Sequence, residues 1–396
     1  MIVLAGGDLV LPGRILPNAS LLIDGTRIVA VEPSARVDAA GAAIVETPEC
    51  FIVPGFVDVH VHGVDGHDTL DEGNPLEQIA SRLPRYGVTA FCPTTVACAP
   101  VALKRVLTQV ANMRAARLAK SARVLPAHLE SNFINPDYRG AQPAECLRLP
   151  GLVDHDGEFS ARDIFDVIAG ARSDVGIVTL APELPRSVEL VRALVSAGHR
   201  VSLGHSGATL DEAMAAIDAG ARQATHLFNR MPPMTHRAPG LAGAVLARDD
   251  VTAELICDAY HVHPAMSRIA IASKGAERIM AITDGTGGSG LAVGSTTRLG
   301  GRRIRVTESA AVMDDGTLAG STLTMDRAFR TIVTVFGFPA TVASMLCSTT
   351  PARALGLTGF GELAEGALAD VVVLDRNFRV LHTFIDGQKV YAAEVA

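Results

Sequence analysis

Apolar and helix-forming stretches alternate regularly through the middle of the chain. From about residue 54 onward, short runs rich in β-branched residues are separated by longer stretches rich in Ala, Leu and Arg. Continuous apolar runs such as Ile279–Ile282 are typical of parallel strands covered on both faces, and Gly87, Gly198 and Gly220 are placed to end helices just before three of the runs. The pattern predicts strands at 56–62, 88–95, 123–130, 175–183, 200–206, 223–229, 252–258 and 278–284.

Eight β-α units are the number that closes a TIM barrel, so the predicted fold class is α/β, with a (β/α)8 barrel over residues 54–354. Within it, residues 291–318 are rich in Gly and Thr and predict an inserted hairpin or loop. Residues 321–336 and 339–346 predict helices.

The two chain ends show a different pattern, of short strands joined by turns. Asp24-Gly25 and Asp386-Gly387 are hairpin signals. Because neither end is long enough to bury a core alone, we predict that residues 1–53 and 355–396 pair into one small β-sandwich domain beside the barrel. The predicted strands are 2–4, 8–11, 20–23, 27–31, 369–374, 380–385 and 389–391.

Composition is that of a globular protein with no affinity for nucleic acid. Of 396 residues, 48% are hydrophobic and 19% charged, and the formal net charge is −7, with no basic run. We expect a cytoplasmic protein, because there is neither a signal-like start nor an apolar stretch of membrane-spanning length. Six scattered cysteines without a Cys-x-x-Cys pair predict neither a zinc knuckle nor a disulfide framework.

Candidate ligands recur where the predicted strands end. Side chains alternate along a strand, so the two histidines that end the first strand lie on one face. The carboxyl ends of barrel strands meet at one rim, where TIM-barrel active sites sit, so residues from five strands are expected to converge. They are His60, His62, Glu130, His205, His226 and Asp284.

Each of these residues has an ordinary explanation when taken alone. A single histidine near a strand end is often a hydrogen-bonded structural residue, and a strand-terminal aspartate often caps a helix. Convergence from five strands instead predicts a centre for one or two metal ions, and imidazole with carboxylate suits Zn, Fe, Mn or Co better than Ca or Mg. A bound ion lowers the pKa of water toward neutrality. Asp284 is placed to take a proton from that water and pass it to a leaving group.

Longer strings around these residues resemble the amidohydrolase superfamily, and within it the N-acetylglucosamine-6-phosphate deacetylase family. The run from THLFN to Pro239-Gly240 is much more specific than His-x-His, and the resemblance covers nearly the whole chain. It implies a homodimeric barrel enzyme that removes acetate from an N-acetyl amino sugar 6-phosphate. The strings are PGFVDVHVHG at 54–63, HLE at 128–130, LGHS at 203–206, THLFN at 225–229, MPP at 231–233, HR at 236–237, PG at 239–240, ITD at 282–284 and AGST at 319–322.

The resemblance also implies a role for each site residue. Glu130, His205 and His226 would bind a principal divalent metal, with zinc the first choice. His60 and His62 would add a second ion, and Asp284 would be the general base and then the acid. The implied substrate contacts are Gln142, Asn229, Arg230, Arg237 and His261. Of these, Arg237 would reach the phosphate across the homodimer interface.

Departures from the family pattern surround the sugar pocket. Gln142 stands where a substrate-contacting histidine is usual, Arg230 where a small residue is usual, and Ala259 where glycine is usual. The usual Gly-Pro after the glutamate is Ser131-Asn132, and the usual Ala after the base is Gly285. The predicted metal ligands and the predicted general base, Asp284, match the family pattern. The sugar epimer, the acyl group and the need for a phosphate therefore stay open.

Three other functions remain in view. The galactosamine isomer is supported by the changed pocket and by the string His261-Val262-His263-Pro264. Dihydroorotase-like and hydantoinase-like enzymes commonly bridge their metals with a carboxylated lysine, and the fourth predicted strand has no lysine. A non-catalytic sugar-phosphate binding protein would be expected to have lost the base or a ligand, and none is lost.

Four further histidines are expected to have structural roles. His128 shares the strand of Glu130 and is expected to fill the barrel or support the site. His155, His199 and His382 lie in a predicted loop, at a helix end and in the C-terminal β segment.

Overall fold

The computed structural model describes residues 1–33, 41–151 and 158–394. The first strands are β1 (Ile2–Leu11), β2 (Arg14–Asp24), β3 (Arg27–Pro33), β4 (Ala43–Glu46), β5 (Phe51–Pro54), β6 (Phe56–Val61), β7 (Gly63–Val64), β8 (His67–Asp68), β9 (Val88–Thr95), β10 (Arg123–Val124) and β11 (Ala127–Glu130). The others are β12 (Val175–Leu180), β13 (Arg200–Leu203), β14 (Gln223–Ala224), β15 (Thr252–Ile256), β16 (Ile279–Ile282), β17 (Thr296–Leu299), β18 (Arg302–Val306), β19 (Ala311–Met313), β20 (Val371–Leu374), β21 (Val380–Ile385) and β22 (Gln388–Ala392). The α-helices are α1 (Pro75–Arg82), α2 (Pro100–Ala115), α3 (Ala161–Gly170), α4 (Ser187–Ser196), α5 (Leu210–Asp218), α6 (Gly240–Ala247), α7 (Pro264–Lys274), α8 (Met325–Thr334), α9 (Ala340–Ser344) and α10 (Thr350–Ala354). Within the described residues, no helix has the length and apolar character to cross a membrane.

Strands β6 and β9 to β16 form the predicted parallel barrel. The third predicted strand is in two pieces, β10 and β11, because Pro126 lies between them and has no N–H to donate to a neighbouring strand. A parallel bridge between Val61 and Gly285 brings the first strand to the chain that follows the eighth. The (β/α)8 fold class is confirmed.

Local sequence sets where the helices begin and which face they bury. Helix α5 starts from a capping box in which Thr209 and Glu212 bond to each other's backbone N–H groups. Helix α8 buries Met325, Ala328, Phe329 and Ile332, the spacing of a single apolar stripe.

The two chain ends share one sheet, as predicted. Its order is β22-β21-β20-β5-β1-β2-β3, with β4 beside β1, and the N-terminal strand β5 pairs antiparallel with the C-terminal strand β20. A bridge between Arg27 and Leu368 brings the β3 edge to the segment before β20, and the sheet encloses an apolar core that includes Leu4, Val371 and Phe384. The domain limits at residues 53 and 355 remain a prediction.

Several predicted elements have different bounds in the structure. The strands predicted at 2–4 and 8–11 are one strand, β1, whose register shifts around Gly7. The predicted 321–336 helix is shorter, Met325–Thr334, and the 291–318 insertion is the three-stranded antiparallel sheet β17–β19. The strands predicted to reach 206 and 229 end at Leu203 and Ala224, so two predicted ligands lie in turns rather than in strands.

Candidate metal centre and active site

The six predicted rim residues lie together at the carboxyl ends of the barrel strands, and all six are buried. His60 is within β6 and His62 follows it, while Glu130 is the last residue of β11. The other three, His205, His226 and Asp284, come two residues after β13, β14 and β16.

Glu130 and two histidines form one tight donor group. Its Oε1 lies 2.8 Å from His205 Nε2 and 2.9 Å from His226 Nε2, and the two ring nitrogens are 3.0 Å apart. Donor atoms of the three residues lie within 4.8 Å of one another. Two imidazoles and one carboxylate with their lone pairs converging suit a transition-metal ion or zinc.

A second donor group shares Glu130. His60 Nε2 and His62 Nε2 are 3.3 Å apart, and Asp284 Oδ1 lies 3.3 Å and 3.2 Å from them. Glu130 Oε2 is 3.5 Å from His62 Nε2. The carboxylate of Glu130 therefore stands between the two histidine pairs, the position from which it could bridge two ions.

The charges at the centre fit a bound cation. Burial opposes protonation of His60, yet Asp284, Glu254 and Glu130 raise its pKa to about 10. Burial alone would raise the pKa of Glu130, but His205 and other histidines hold it well below its ordinary value. Buried carboxylates thus draw positive charge onto this cluster, and a divalent ion meets the same demand with the donor set present.

In two of the histidines, a hydrogen bond to Nδ1 fixes Nε2 as the nitrogen that faces the donor groups. His205 Nδ1 lies 2.8 Å from the Tyr138 carbonyl oxygen, and His60 Nδ1 lies 2.8 Å from Glu254 Oε2. A ring that donates from Nδ1 keeps its Nε2 lone pair free for a metal. In both residues Nε2 is the atom directed at Glu130.

Three of the rim residues have left-handed backbone conformations. The φ angles are 48° at His205, 31° at His226 and 48° at Asp284. Side chains with a Cβ rarely adopt this region, and such strain persists only where the surroundings enforce it. Backbone bonds do so here, including one from Asp284 N to the His60 carbonyl oxygen at 2.9 Å.

Glu254 is a supporting residue that sequence reasoning missed. It is fully buried in β15, and its carboxylate accepts from Gln223 Nε2 at 2.6 Å and from His226 N at 3.3 Å, besides its contact with His60. The feature of the sequence that could have revealed it is a single carboxylate inside the apolar strand Thr252–Ile256. A charged residue in a buried strand requires partners, which here are His60, Gln223 and the backbone of His226.

Asp58 was also missed, and it fixes the first strand to the eighth. Its Oδ2 accepts from Thr283 Oγ1 at 2.6 Å, and its Oδ1 accepts from His60 N at 3.2 Å. Burial raises the pKa of Asp58 to about 6, against these hydrogen bonds. The pair holds the strand ends that carry His60 and Asp284 in register.

A cavity of about 470 Å³ opens in front of the donor groups. Four of the five predicted substrate residues line it: Gln142, Asn229, Arg230 and His261. The fifth, Arg237, is exposed and is not part of the cavity wall. Leu299 and Leu318, from β17 and the end of the inserted segment, close one side.

Both ends of the Gln142 side-chain amide form hydrogen bonds with other residues of the chain. Its Nε2 donates to Glu130 Oε2, and its Oε1 accepts from Ala97 N at 2.7 Å. Gln142 is buried, and its bond is to the very oxygen of Glu130 that faces His62. The structure therefore gives Gln142 a contact with the donor groups in addition to its place in the cavity wall.

His261 directs an unused nitrogen at the cavity. Asp258 Oδ2 lies 2.5 Å from His261 Nδ1, and Asp258 Oδ1 accepts from the His261 backbone N–H. Its Nε2 is buried without a hydrogen-bond partner among the described residues. Burial opposes protonation of His261, but Asp258 raises its pKa. The Gly320 backbone also raises the pKa of the ring, but it makes no hydrogen bond to Nε2, so this nitrogen is available to a ligand oxygen.

The position of the Arg230 side chain requires a glycine at residue 140. Gly140 has φ +58°, and a Cβ there would lie 2.5 Å from Arg230 Nε. The guanidinium therefore lies directly over the Gly140 backbone at the cavity wall. Neighbouring Asn229 donates to the His226 carbonyl oxygen at 3.2 Å, which joins this loop to the donor groups.

Two of the histidines predicted to be structural, His128 and His199, bond to the barrel framework. His128 Nδ1 contacts the Val59 carbonyl oxygen at 3.0 Å, and burial lowers the His128 pKa to about 4, so the ring is neutral. His199 Nδ1 contacts the Val175 carbonyl oxygen at 2.9 Å. His155 lies outside the described residues.

Comparison with known proteins gives the family. The profile of the amidohydrolase family matches residues 51–390. N-acetylglucosamine-6-phosphate deacetylase of Lysinibacillus sphaericus is 35% identical over 356 residues, which are 90% of this chain and 89% of that protein. N-acetylgalactosamine-6-phosphate deacetylase of Escherichia coli O157:H7 is 34% identical over 378 residues, 95% of this chain and 97% of that protein.

A solved structure agrees over the same length. A point mutant of N-acetyl-D-glucosamine-6-phosphate deacetylase from Mycobacterium smegmatis, in complex with N-acetyl-D-glucosamine-6-phosphate, superposes with a TM-score of 0.88. It is 32% identical, and the match covers 99% of each chain. With a family profile that spans the whole barrel and relatives of this similarity, the chain belongs to the amidohydrolase family.

Proposed function

We propose that this protein hydrolyses the acetamide of an N-acetyl amino sugar 6-phosphate, with N-acetylglucosamine 6-phosphate as its preferred substrate. The observation that carries the proposal is the meeting of two His-carboxylate donor groups with Asp284 at the wall of one cavity. Relatives with this activity in their names align over about nine-tenths of the chain. The products are acetate and the free amino sugar 6-phosphate.

Glu130, His205 and His226 are proposed to hold the principal metal, and His60 and His62 to hold a second ion with Glu130. Zinc is our first choice, since imidazole and carboxylate are its usual ligands. Such an ion, when bound, polarises a carbonyl oxygen and lowers the pKa of water toward neutrality. The chain's own residues then have to orient the amide and move one proton.

Asp284 is proposed to move that proton. Burial alone would raise its pKa, but His60 and His62 lower it below the ordinary value, so its carboxylate is ionised near neutral pH. An ionised carboxylate can accept a proton from water, and the resulting acid can donate it to the leaving nitrogen. Replacement by asparagine keeps the shape of the side chain and removes this capacity.

The cavity wall supplies groups for the rest of the substrate. His261 Nε2 is proposed to donate to the amide or sugar oxygen, with Asp258 keeping the ring oriented. Arg230 is proposed to contact the phosphate, because a planar guanidinium matches phosphate oxygens. Gln142 is proposed to contact substrate from the same wall, and Asn229 to hold the loop.

We further propose a cytoplasmic homodimer in which Arg237 completes the phosphate site of the partner. Its exposure, on a loop where Met234 is also exposed, supports a position at an interface. The cytoplasmic location is supported by the six free cysteines, because thiols stay reduced in that compartment.

A second candidate is the galactosamine isomer. Arg230 and Ala259 both have positive φ, and both are positions where the sequence departs from the pattern of the glucosamine family. A relative named N-acetylgalactosamine-6-phosphate deacetylase aligns over 95% of the chain.

Acetate release from a substrate panel tests these proposals. The panel is N-acetylated glucosamine, galactosamine and mannosamine, each with and without the 6-phosphate, with the metal content measured in parallel. We expect the glucosamine 6-phosphate compound to have the highest kcat/KM. Release from the galactosamine compound alone would favour the second candidate, and no release from any phosphorylated sugar would overturn both.

The Asp284→Asn variant tests the mechanism. It should bind the wild-type amount of metal and lose about 10³-fold or more in kcat. Substantial turnover in a metal-loaded Asp284→Asn protein would show that another group moves the proton.

A further inference from the structure

A second large cavity lies at the opposite end of the barrel from the metal centre. Its volume is about 830 Å³. Its wall includes Val175 and Gly176 at the start of β12 and Arg200 at the start of β13. Those strand starts form the amino end of the barrel, so this cavity is separate from the one at the rim.

Three arginines line this cavity, namely Arg114, Arg172 and Arg200. No Asp or Glu is among the described residues of its wall. The partners of each arginine therefore decide how much positive charge remains available in the cavity of this chain, whose net charge is −7.

The three arginines differ in their partners. Arg114 forms an ion pair with Asp174, and Arg172 Nε donates to the Ala197 carbonyl oxygen. The guanidinium of Arg200 makes no hydrogen bond or ion pair with any residue of the described part of the chain. Its guanidinium therefore has its donors available to a ligand.

Arg200 is also partly shielded from solvent. It shares its strand face with Ser202, whose hydroxyl bonds to Thr225 Oγ1 at 2.6 Å inside the barrel, so Arg200 lies beneath the barrel interior. It is partly buried, and this burial lowers the Arg200 pKa. A guanidinium that has lost part of its contact with water and has no counter-charge is less well stabilised than one in free solution. A bound anion would relieve that cost.

We propose that this cavity binds an organic anion with a phosphate or carboxylate head and an apolar body. Arg200 grips the head through its planar donor fork, with Arg172 beside it. The apolar body lies against a wall formed by Leu125, Pro126, Leu355 and Leu357. That wall distinguishes this ligand from a free sugar phosphate, whose body is covered with hydroxyl groups.

A tryptophan reporter can test the site directly. The chain contains no Trp, so a Leu357→Trp variant reports from this cavity alone. Leu357 is only partly buried, so a larger side chain is tolerable there. The probes are phenyl phosphate, benzoate, inorganic phosphate and neutral phenol. We expect phenyl phosphate or benzoate to change the fluorescence in a saturable way, with the stronger of the two identifying the head group, and phenol to bind at least about tenfold more weakly.

Arginine variants in the reporter background decide the issue. Arg200→Met should weaken binding of the anionic probe about tenfold or more, and Arg200→Lys should fall in between, because it keeps the charge without the fork. Arg268→Met removes a charge from the exposed face of α7, and Arg230→Met removes one from the rim cavity. Both should leave the affinity within about twofold of the parent.

Thermal unfolding checks that Arg200→Met is folded. Its melting temperature without probe should equal or exceed that of the parent, since an uncompensated charge is removed. The proposal is overturned if the reporter fails to respond to every anion up to about 10 mM. It is equally overturned if Arg200→Met and Arg200→Lys bind as the parent does, or if phenol binds as well as phenyl phosphate.

Discussion

Glu254 couples the two donor groups of the candidate metal centre through hydrogen bonds from two other strands. One carboxylate oxygen contacts His60 Nδ1 at 2.8 Å and the His226 backbone N–H at 3.3 Å, and the other accepts from Gln223. A carboxylate behind a metal-binding imidazole fixes the ring and raises its basicity. This buried acid is therefore expected to matter for metal affinity although it is not a predicted ligand.

Glu254→Gln should lower metal affinity by about 10- to 100-fold, because the charge behind His60 is lost while the side-chain shape is kept. The measurement is competition with a chromophoric chelator at fixed pH. Asp174→Asn is the matched control, since it makes the same exchange at a buried carboxylate paired with Arg114 far from the centre. Equal affinities for the two variants would mean that Glu254 is only structural.

The His60→Asn/His62→Asn double variant should lower the metal content from about two ions per chain toward one, because the second donor group loses both imidazoles. Glu130, His205 and His226 remain as a complete group. The measurement is elemental analysis after dialysis against metal-free buffer. An unchanged content would show that these two histidines never held an ion.

At the scale of elements, Lys274 ties two helices together. It lies at the end of α7, and its Nζ donates to the Val245 carbonyl oxygen at 3.0 Å and to that of Arg248 at 2.5 Å, at the end of α6. Carbonyl groups at a helix C-terminus lack partners within the helix and attract a cation. Burial nevertheless lowers the Lys274 pKa to about 8.

The Lys274 pKa predicts a pH-dependent stability. Between pH 8 and its ordinary value of 10.5 the unfolded chain binds more protons at this lysine than the folded chain does. The free energy of unfolding should therefore rise with pH across that window, by up to about 3 kcal/mol. Below pH 8 the lysine is charged in both states and contributes no slope.

Urea unfolding of wild type and Lys274→Met at several pH values from 7 to about 11 isolates this effect. The stability of wild type relative to the variant should increase with pH. Lys104→Met, at an exposed position of α2, serves as the control and should follow wild type. A constant difference between wild type and Lys274→Met would refute the assignment.

At the scale of the whole molecule, the proposed dimer predicts an active site that needs residues from two subunits. Arg237 is exposed and absent from the cavity of its own chain, so its proposed role requires a second subunit. Arg237→Ala and Asp284→Asn should each be strongly impaired. In a mixed dimer, the site with an intact Asp284 receives Arg237 from its partner.

Unfolding and refolding the two variants together at equal amounts should restore about one quarter of wild-type activity, since half of the dimers are mixed and each has one complete site. Each variant refolded alone provides the baseline, and light scattering reports the mass. No gain on mixing, or full activity of Arg237→Ala alone, would contradict the shared site.

The sequence by itself determined the barrel and the identity of the rim residues. Strand and helix periods are local properties, and the rule that strand ends meet at one rim needs only the order of the elements. That was enough to bring together residues as distant in the chain as His60 and Asp284, which the structure places 3.3 Å apart. Local patterns did less well at strand ends, where left-handed residues such as His205 stop the strand early.

Only the tertiary structure decided which buried groups support the site and where a second cavity lies. Glu254 contacts His60, which lies 194 positions away in the chain. The side-chain amide of Gln142 forms hydrogen bonds with Glu130 and Ala97. Arg200 is left without a counter-charge among the described residues. Such outcomes depend on which side chains become neighbours after packing, and a residue's type fixes only the partners it needs, not where they come from.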